Sequence, residues 1–227
     1  PTNPVLLVGS LNDGGSVSGT NVVLYWVARG AATAHTARVE FSGDEGVTWT
    51  VIASNLPPGI SSINWDTTLI PSTVLGFWRV VSETDPAVSG MSQRPFAVRN
   101  GPVFFYVNDA NPTGDVYTTA TGISTNNGAT PLTPMLSIAQ VISRYDVITG
   151  DVIYVDTGWY SNNTSIVIDQ LDVGFRLVGS TNTTAGGSRL FFNGTAEGIR
   201  LFRAPGVSIE HFRMSGANLG IAVIQSA

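Results

Sequence analysis

Short apolar segments that recur at nearly equal intervals constrain the fold of this chain more than any other feature. Four of them begin at Val152, Phe175, Ile199 and Ile221. A second series of segments lies between them, at 165–168, 189–192 and 207–210. Strands that repeat in this way stack as coils, because no coil buries its own apolar face without a neighbour. The repeat predicts a parallel β-helix with rungs over about residues 151–227, in which each segment pairs with its equivalent one coil later.

An amphipathic helix is predicted just before the first coil, over about residues 134–145. Thr133 is its expected N-cap and Pro134 its first helical residue. Helical spacing places five apolar side chains on one face: Met135, Ile138, Val141, Ile142 and Tyr145. A single amphipathic helix needs an apolar partner, and the open end of a stack of coils provides one. We therefore expect this helix to cap the β-helix.

The segment 150–160 carries a resemblance to a known family. Its sequence, G-D-V-I-Y-V-D-T-G-W-Y, follows the predicted helix directly. Helix and segment together resemble the opening of pectin-lyase-like right-handed parallel β-helices, and the resemblance covers about residues 103–227. That superfamily includes polysaccharide lyases, glycoside hydrolases, phage tailspikes, adhesins and non-catalytic surface proteins. The resemblance therefore implies a fold and leaves the activity open.

Residues 1–100 show a different pattern, with about seven short strand segments separated by turns. Such spacing is typical of an antiparallel sandwich, and the region resembles a fibronectin type III or other immunoglobulin-like module of bacterial surface proteins. The segment 42–49, S-G-D-E-G-V-T-W, matches the Asp-box pattern and predicts a hairpin held by Asp44. The predicted fold is all-β: an N-terminal immunoglobulin-like β-sandwich over 1–100, followed over 101–227 by a capped, C-terminally incomplete right-handed parallel β-helix.

Composition excludes several classes of function. The net charge is −5, so there is no basic surface of the kind that nucleic acids require. The absence of cysteine removes disulfides and thiolate chemistry, and no apolar run is long enough for a membrane span. Only 12% of the residues are charged, and this low fraction, together with the absence of cysteine, favours a surface protein. We expect a bacterial protein at the cell surface or outside the cell, secreted with a leader that this chain does not carry.

Three sets of residues are candidates for contacts with other molecules, and none forms a catalytic constellation. Carbohydrate contacts are predicted for the aromatic and basic residues Trp159, Tyr160, His211 and Arg213. The prediction for cofactors is none, with Ca²⁺ as the alternative because oxygen ligands are what this ion prefers. Its candidate ligands are Asp109, Asp115, Asp151 and Asp156.

The third set is an assembly edge formed by Ile221, Val223 and Ile224. A last coil without a partner exposes backbone donors and acceptors, so we expect self-association or continuation of the β-helix by more protein. The sequence thus favours a non-catalytic structural protein, a rigid β-helix with an immunoglobulin-like spacer. Two alternatives stay open: the N-terminal part of a polysaccharide lyase or glycoside hydrolase, and a carbohydrate-binding adhesin or tailspike segment with a polysaccharide as its partner.

Overall fold

The computed structural model describes residues 3–224, and the chain divides into two compact units, Pro1–Gly101 and Pro102–Ala227. Strands make up 41% of the structure and helices 7%. The first unit is built on antiparallel sheets and the second on parallel sheets. The predicted all-β class is therefore confirmed. Among residues 3–224 no helix has the length and hydropathy needed to cross a membrane.

The first unit contains nine strands within the described residues. They are β1 (Val5–Val8), β2 (Ser16–Val17), β3 (Val22–Arg29), β4 (Ala37–Ser42), β5 (Thr50–Leu56), β6 (Ser62–Trp65), β7 (Thr73–Ser82), β8 (Ser89–Met91) and β9 (Phe96–Val98). One sheet has the order β1-β3-β6. The other has the order β2-β9-β7-β4-β5, with β8 also paired to β7. All of these pairs are antiparallel except β2 with β9.

One core holds the two sheets of the first unit together. Leu24, Trp26 and Trp65 come from the smaller sheet, and Trp78 and Phe96 from the larger one; all five are buried. The alternation of buried and exposed residues along β3 explains this arrangement, since successive side chains point to opposite faces of a strand. Trp26, Trp65 and Trp78 thus lie in the core of the first unit.

The turn between β4 and β5 has the geometry predicted for the Asp box. Asp44 accepts hydrogen bonds from the Thr48 backbone N–H at 2.8 Å, from the Thr48 hydroxyl at 2.5 Å and from the Ser42 hydroxyl at 2.7 Å. Gly46 has φ of +85°, and its carbonyl accepts the indole N–H of Trp49. These bonds stabilise the hairpin from within, which is a structural role for the motif.

The second unit contains ten strands and one α-helix within the described residues. They are β10 (Phe104–Val107), α1 (Ile138–Arg144), β11 (Val152–Val155), β12 (Gly158–Asn162), β13 (Ile166–Ile168), β14 (Arg176–Gly179), β15 (Ser188–Phe192), β16 (Glu197–Phe202), β17 (Ser208–Glu210), β18 (Phe212–Ser215) and β19 (Leu219–Ile224). They form three sheets, ordered β10-β11-β14-β17, β12-β15-β18 and β13-β16-β19, and every pair is parallel. This connectivity, in which each strand pairs with one from the next coil, is compatible with a β-helix-like fold.

The strand pairing differs from the predicted register. The segment at Val152 pairs with the next one in the series, although Val152 lies opposite Arg176 and not Phe175. Arg176 then pairs with Ser208 and not with the segment at Ile199. The segments at Ile199 and Ile221 do pair with each other, but in the sheet of β13 and not in that of β11. The second predicted series falls on three different sheets, because β13, β15 and β17 belong to one each. Turns of unequal length shift the sequence period, so equal spacing does not identify equivalent strands.

In-register apolar side chains fill the interior of the second unit. Phe105, Ile153 and Leu177 pair in sequence across β10, β11 and β14, and all are fully buried. Ile209 continues this column on β17 and is partly exposed. Each coil therefore gains most of its burial from the coils on either side of it.

The helix is shorter than predicted and begins elsewhere. Ser137, and not Thr133, is its N-cap: the Ser137 hydroxyl accepts the Gln140 N–H, and the Gln140 carbonyl Oε1 accepts the Ser137 N–H. The helix begins at Ser137 and not at Thr133 because this capping box satisfies two backbone N–H donors. Four of the five residues predicted for its apolar face are buried, but only Ile138 and Val141 of these lie within α1. Met135 precedes the helix, and Tyr145 follows it with its ring 5.0 Å from that of Phe105.

Candidate functional site

The outer face of the β12-β15-β18 sheet carries an unusual row of aromatic and basic side chains. Trp159 lies directly opposite Arg189, and Arg189 opposite Arg213, on three successive strands. Phe191 lies on the same face of β15 as Arg189. The alternating burial of β15 explains the arrangement: its odd-numbered residues turn outward, whereas Ser188, Leu190 and Phe192 are buried. We call Trp159, Arg189, Phe191 and Arg213 the outer row.

Trp159 is held in place while its ring is open to solvent. Its side chain is 51% exposed. The ring stacks on that of Phe191, with centroids 5.6 Å apart and planes at 26°, and the Arg189 guanidinium lies 5.6 Å from the ring centroid. The Trp159 backbone N–H donates to Asp109 Oδ2 at 3.0 Å. A fixed, exposed indole is suited to stack against a flat apolar surface of a ligand.

Tyr160 does not belong to this face, which corrects the prediction that it contacts carbohydrate. It points to the interior, is 6% exposed, and its hydroxyl donates to the carbonyl of Asp156 at 3.0 Å. Burial raises the pKa of Tyr160 well above its usual range. Neighbouring residues of a strand face opposite sides, so only one of Trp159 and Tyr160 can be exposed there.

His211 and Arg213 line one cavity at the end of the outer row. The cavity measures about 390 Å³ and is also lined by the hydroxyl-bearing residues Ser180, Thr181, Thr183 and Ser188. His211 is a turn residue with φ of +63°, between β17 and β18. Both residues therefore line one recess, and His211 lies in the turn before the strand that carries Arg213.

Asp156 is a structural hub and not an open ligand. It is fully buried, and its two oxygens accept four backbone N–H groups, from Val116, Tyr117, Thr118 and Thr157, at 2.7 to 2.8 Å. The Thr118 hydroxyl donates to it as well. A carboxylate can accept about four hydrogen bonds, so these contacts occupy the side chain and fix the long segment before α1.

Two of the other three predicted metal ligands, Asp109 and Asp151, also accept hydrogen bonds from backbone N–H groups. Asp151 accepts the backbone N–H groups of Val103 and Ile148, at the opposite end of β11 from Asp156. Asp109 accepts backbone N–H groups with both oxygens. Burial and the charges of Asp156 and Asp109 raise the pKa of Asp115. The structure therefore brings Asp109, Asp115 and Asp156 near each other without Asp151, and no group of three His, Asp or Glu suited to a metal occurs in residues 3–224.

The predicted assembly edge lies on β19. Ile221 and Val223 are 45% and 60% exposed, whereas their partners one coil earlier, Ile199 and Leu201, are buried. Ile224 is partly exposed. Within residues 3–224, β17, β18 and β19 each pair with a strand on one side only. The edge therefore presents both apolar side chains and backbone hydrogen-bonding groups.

Two residues of the outer row, Arg189 and Phe191, were not predicted from the sequence. The signal that identifies them is the period of two along β15, combined with the pairing of β12 and β15. The equal-spacing register assigned residues 189–192 to another sheet, which hid this relation. Neither a protein-family model, nor a curated protein, nor a solved structure matches this chain; its function has to be inferred from the geometry of its own residues.

Proposed function

We propose that this chain is a non-catalytic structural module of an extracellular or cell-surface protein. In this proposal the first unit is an immunoglobulin-like spacer, and the second is a rigid right-handed parallel β-helix with α1 as its cap. The observation that supports it is the use of the buried carboxylates in the second unit. Asp151, Asp156 and Asp172 accept backbone N–H groups, so these acids hold turns together instead of facing a substrate.

The same observation argues against the alternative of a glycoside hydrolase, and the test below covers a polysaccharide lyase as well. Hydrolysis of a glycosidic bond needs two carboxyl groups on either side of the scissile bond. The test is to incubate the purified chain with oligogalacturonate and with alginate, and to follow unsaturated uronides by ultraviolet absorbance and reducing ends by a colorimetric assay. We expect no product above a boiled control, and turnover of either polymer would overturn the structural proposal.

Pairing of the exposed edge of β17, β18 and β19 with a second copy of the chain, or with more protein that continues the stack, is part of the proposal. Its support is the exposure of Ile221 and Val223 beside unpaired strand edges, since such edges pair with other strands. Sedimentation velocity over a range of concentrations should show self-association that the Val223→Glu variant loses. Val167→Glu is the matched control, because Val167 is 46% exposed on β13, away from this edge. Equal association of both variants would exclude the edge as the interface.

A second candidate function is carbohydrate binding, and the outer row favours it. An exposed, immobilised Trp can stack on a sugar ring, and Arg213 on the same face of the sheet lines a cavity whose hydroxyl-bearing residues can bond sugar oxygens. Binding to a glycan array should then be lost in Trp159→Ala and kept in Trp49→Ala. Binding that both variants retain would place carbohydrate recognition outside the outer row.

A further inference from the structure

Three of the six tyrosines of the chain meet on the outer face of the paired strands β10 and β11. Tyr106 lies directly opposite Tyr154, and both turn outward because their neighbours Phe105 and Ile153 are buried. The rings of Tyr106 and Tyr154 are stacked, with centroids 5.8 Å apart. Tyr117 adds a third ring, whose centroid lies 4.7 Å from that of Tyr154. We call Tyr106, Tyr117 and Tyr154 the tyrosine cluster.

Tyr117 is held over Tyr154 from two sides. Its backbone N–H donates to Asp156 at 2.8 Å, as part of the bonds by which this buried carboxylate fixes residues 116–118. Its hydroxyl donates to the carbonyl of Gly179, the last residue of β14, at 3.1 Å. Two groups that are held in contact react as if they were at a high local concentration. The fold therefore keeps the rings of Tyr117 and Tyr154 together before any reaction between them.

The other three tyrosines lie elsewhere. Tyr25 belongs to the first unit, Tyr145 is buried beside the ring of Phe105, and Tyr160 is buried in the interior of the second unit. All three rings of the tyrosine cluster are partly exposed, so an oxidant in the solvent can reach them. A tyrosyl radical formed in the cluster consequently has another tyrosine ring in contact with it.

A covalent link at the tyrosine cluster would join two distant parts of the chain. Tyr117 belongs to the long segment before α1, and Tyr154 lies on β11. The chain has no cysteine, so no disulfide can fasten that segment to the coils. A link between side chains far apart in sequence stabilises a fold chiefly because it restricts the unfolded chain. Coupled tyrosine rings would supply such a link.

We propose that Tyr117 and Tyr154 form a modification site, at which hydrogen peroxide, used by a haem peroxidase, couples the two rings into a dityrosine. Burial raises the pKa of Tyr117, so its ring enters the reaction as the neutral phenol. Each phenol loses one electron and its proton to the oxidant, and the two radicals join through ring carbons next to their oxygens. The hydrogen on each of those carbons then moves to the phenol oxygen. Two phenols and one hydrogen peroxide thus give one dityrosine and two waters.

The test is to treat the whole chain with a haem peroxidase and hydrogen peroxide, and to measure dityrosine fluorescence in the monomer fraction. We expect the monomer to become fluorescent and to lose the mass of two hydrogen atoms. The rate should not change when the chain is diluted, because both rings belong to one molecule. Trypsin, which cleaves after Arg99, Arg144 and Arg176, should leave peptide 100–144 joined to peptide 145–176. Coupling of N-acetyltyrosine in the same mixture confirms that the oxidant is active.

Variants identify the two rings. Tyr117→Phe and Tyr154→Phe should each lower the fluorescence of the monomer at least tenfold, whereas Tyr106→Phe, which removes a phenol from the same face, should lower it less than twofold. Circular dichroism checks that each variant is folded. Tyr154→Phe removes no hydrogen bond found within residues 3–224, so it tests the site even if loss of the bond to Gly179 disturbs the Tyr117 variant.

The proposal also predicts a change in the stability of the oxidised chain. The thermal midpoint of the second unit should be several degrees higher after oxidation of the wild-type chain and unchanged after oxidation of Tyr154→Phe. A fluorescent monomer in Tyr117→Phe, or an equal loss of fluorescence in Tyr106→Phe, would overturn the assignment of the two rings. Coupling that slows on dilution, or an unmodified wild-type chain beside coupled N-acetyltyrosine, would overturn the site itself.

Discussion

Replacing Asp172 by asparagine should stabilise the second unit at neutral pH. Asp172 is 4% exposed, and its Oδ1 accepts the Val147 N–H at 2.9 Å. Burial, with smaller contributions from the charges of Asp169 and Asp146, raises its pKa from 3.8 to about 6. Asparagine keeps a carbonyl oxygen for Val147 and removes the charge. The substitution therefore removes the buried negative charge, which is unfavourable, and keeps the hydrogen bond from the Val147 N–H, which is favourable.

The size of the expected stabilisation and its dependence on pH follow from the raised pKa of Asp172. A raised pKa means that the folded unit binds the proton more tightly than the unfolded chain, so this contribution to stability is complete below pH 3.8 and is lost as pH rises through 6. Above pH 7 the ionised Asp172 costs about 3 kcal/mol, at about 1.4 kcal/mol for each pH unit of the shift. We expect Asp172→Asn to gain up to about 3 kcal/mol at pH 7.5 and less than about 1 kcal/mol at pH 4.

Hydrogen exchange followed by mass spectrometry measures this gain in the second unit alone. Peptides that cover β11 and β14 should exchange up to about a hundredfold more slowly in the variant at pH 7.5, since each 1.4 kcal/mol is about a factor of ten. Peptides of the first unit serve as the internal reference. Asp169→Asn removes only a neighbouring charge and should give a smaller effect of the same sign. A variant that is less protected at pH 7.5, or equally altered at both pH values, would refute the reasoning.

Three further substitutions test the contacts that hold the second unit together. Asp156→Ala leaves the buried N–H groups of Thr118 and Thr157, and the partly buried ones of Val116 and Tyr117, without their acceptor. It should lower the free energy of unfolding by about 3–5 kcal/mol, measured by urea titration of the far-ultraviolet circular dichroism. Ser137→Ala removes the hydroxyl that caps α1 and should cost about 1 kcal/mol in the same titration, and an unchanged midpoint would contradict the capping role. Leu177→Ala should cost about 3 kcal/mol because it opens a cavity in the interior column, visible as a thermal midpoint several degrees lower.

The kinds of element were predictable from the sequence because they depend on local patterns. Short strand segments separated by turns, together with the Asp-box hairpin, predicted the first unit as β structure. The strand at 152–155 and the burial of Ile138 and Val141 on α1 were likewise correct. In each case a period of two or of 3.6 residues reports directly which side chains face inward.

The register of the coils was not predictable because it depends on turn lengths. Ile166 pairs with Ile199, and Ile199 pairs with Ile221 after a much shorter stretch of chain. A longer turn changes no strand and no interior contact, yet it removes the equal spacing on which the prediction relied. The outer row was missed for the same reason, because Arg189 faces Trp159 and Arg213 only in the true register.

The pairing of each coil with only its neighbours also has a consequence for the way the chain is made. Phe104 must wait until Val152 has been synthesised before it can pair, and the later strands find their partners after shorter stretches of chain. The entropy of closing such loops grows only slowly with their length. Because synthesis runs from the N-terminus, the ribosome releases β10 before the other strands of the unit, and each finished coil is a template for the next. We expect synthesis and folding of the second unit to proceed in the same direction, so that the strands β17, β18 and β19 order after the strands with which they pair.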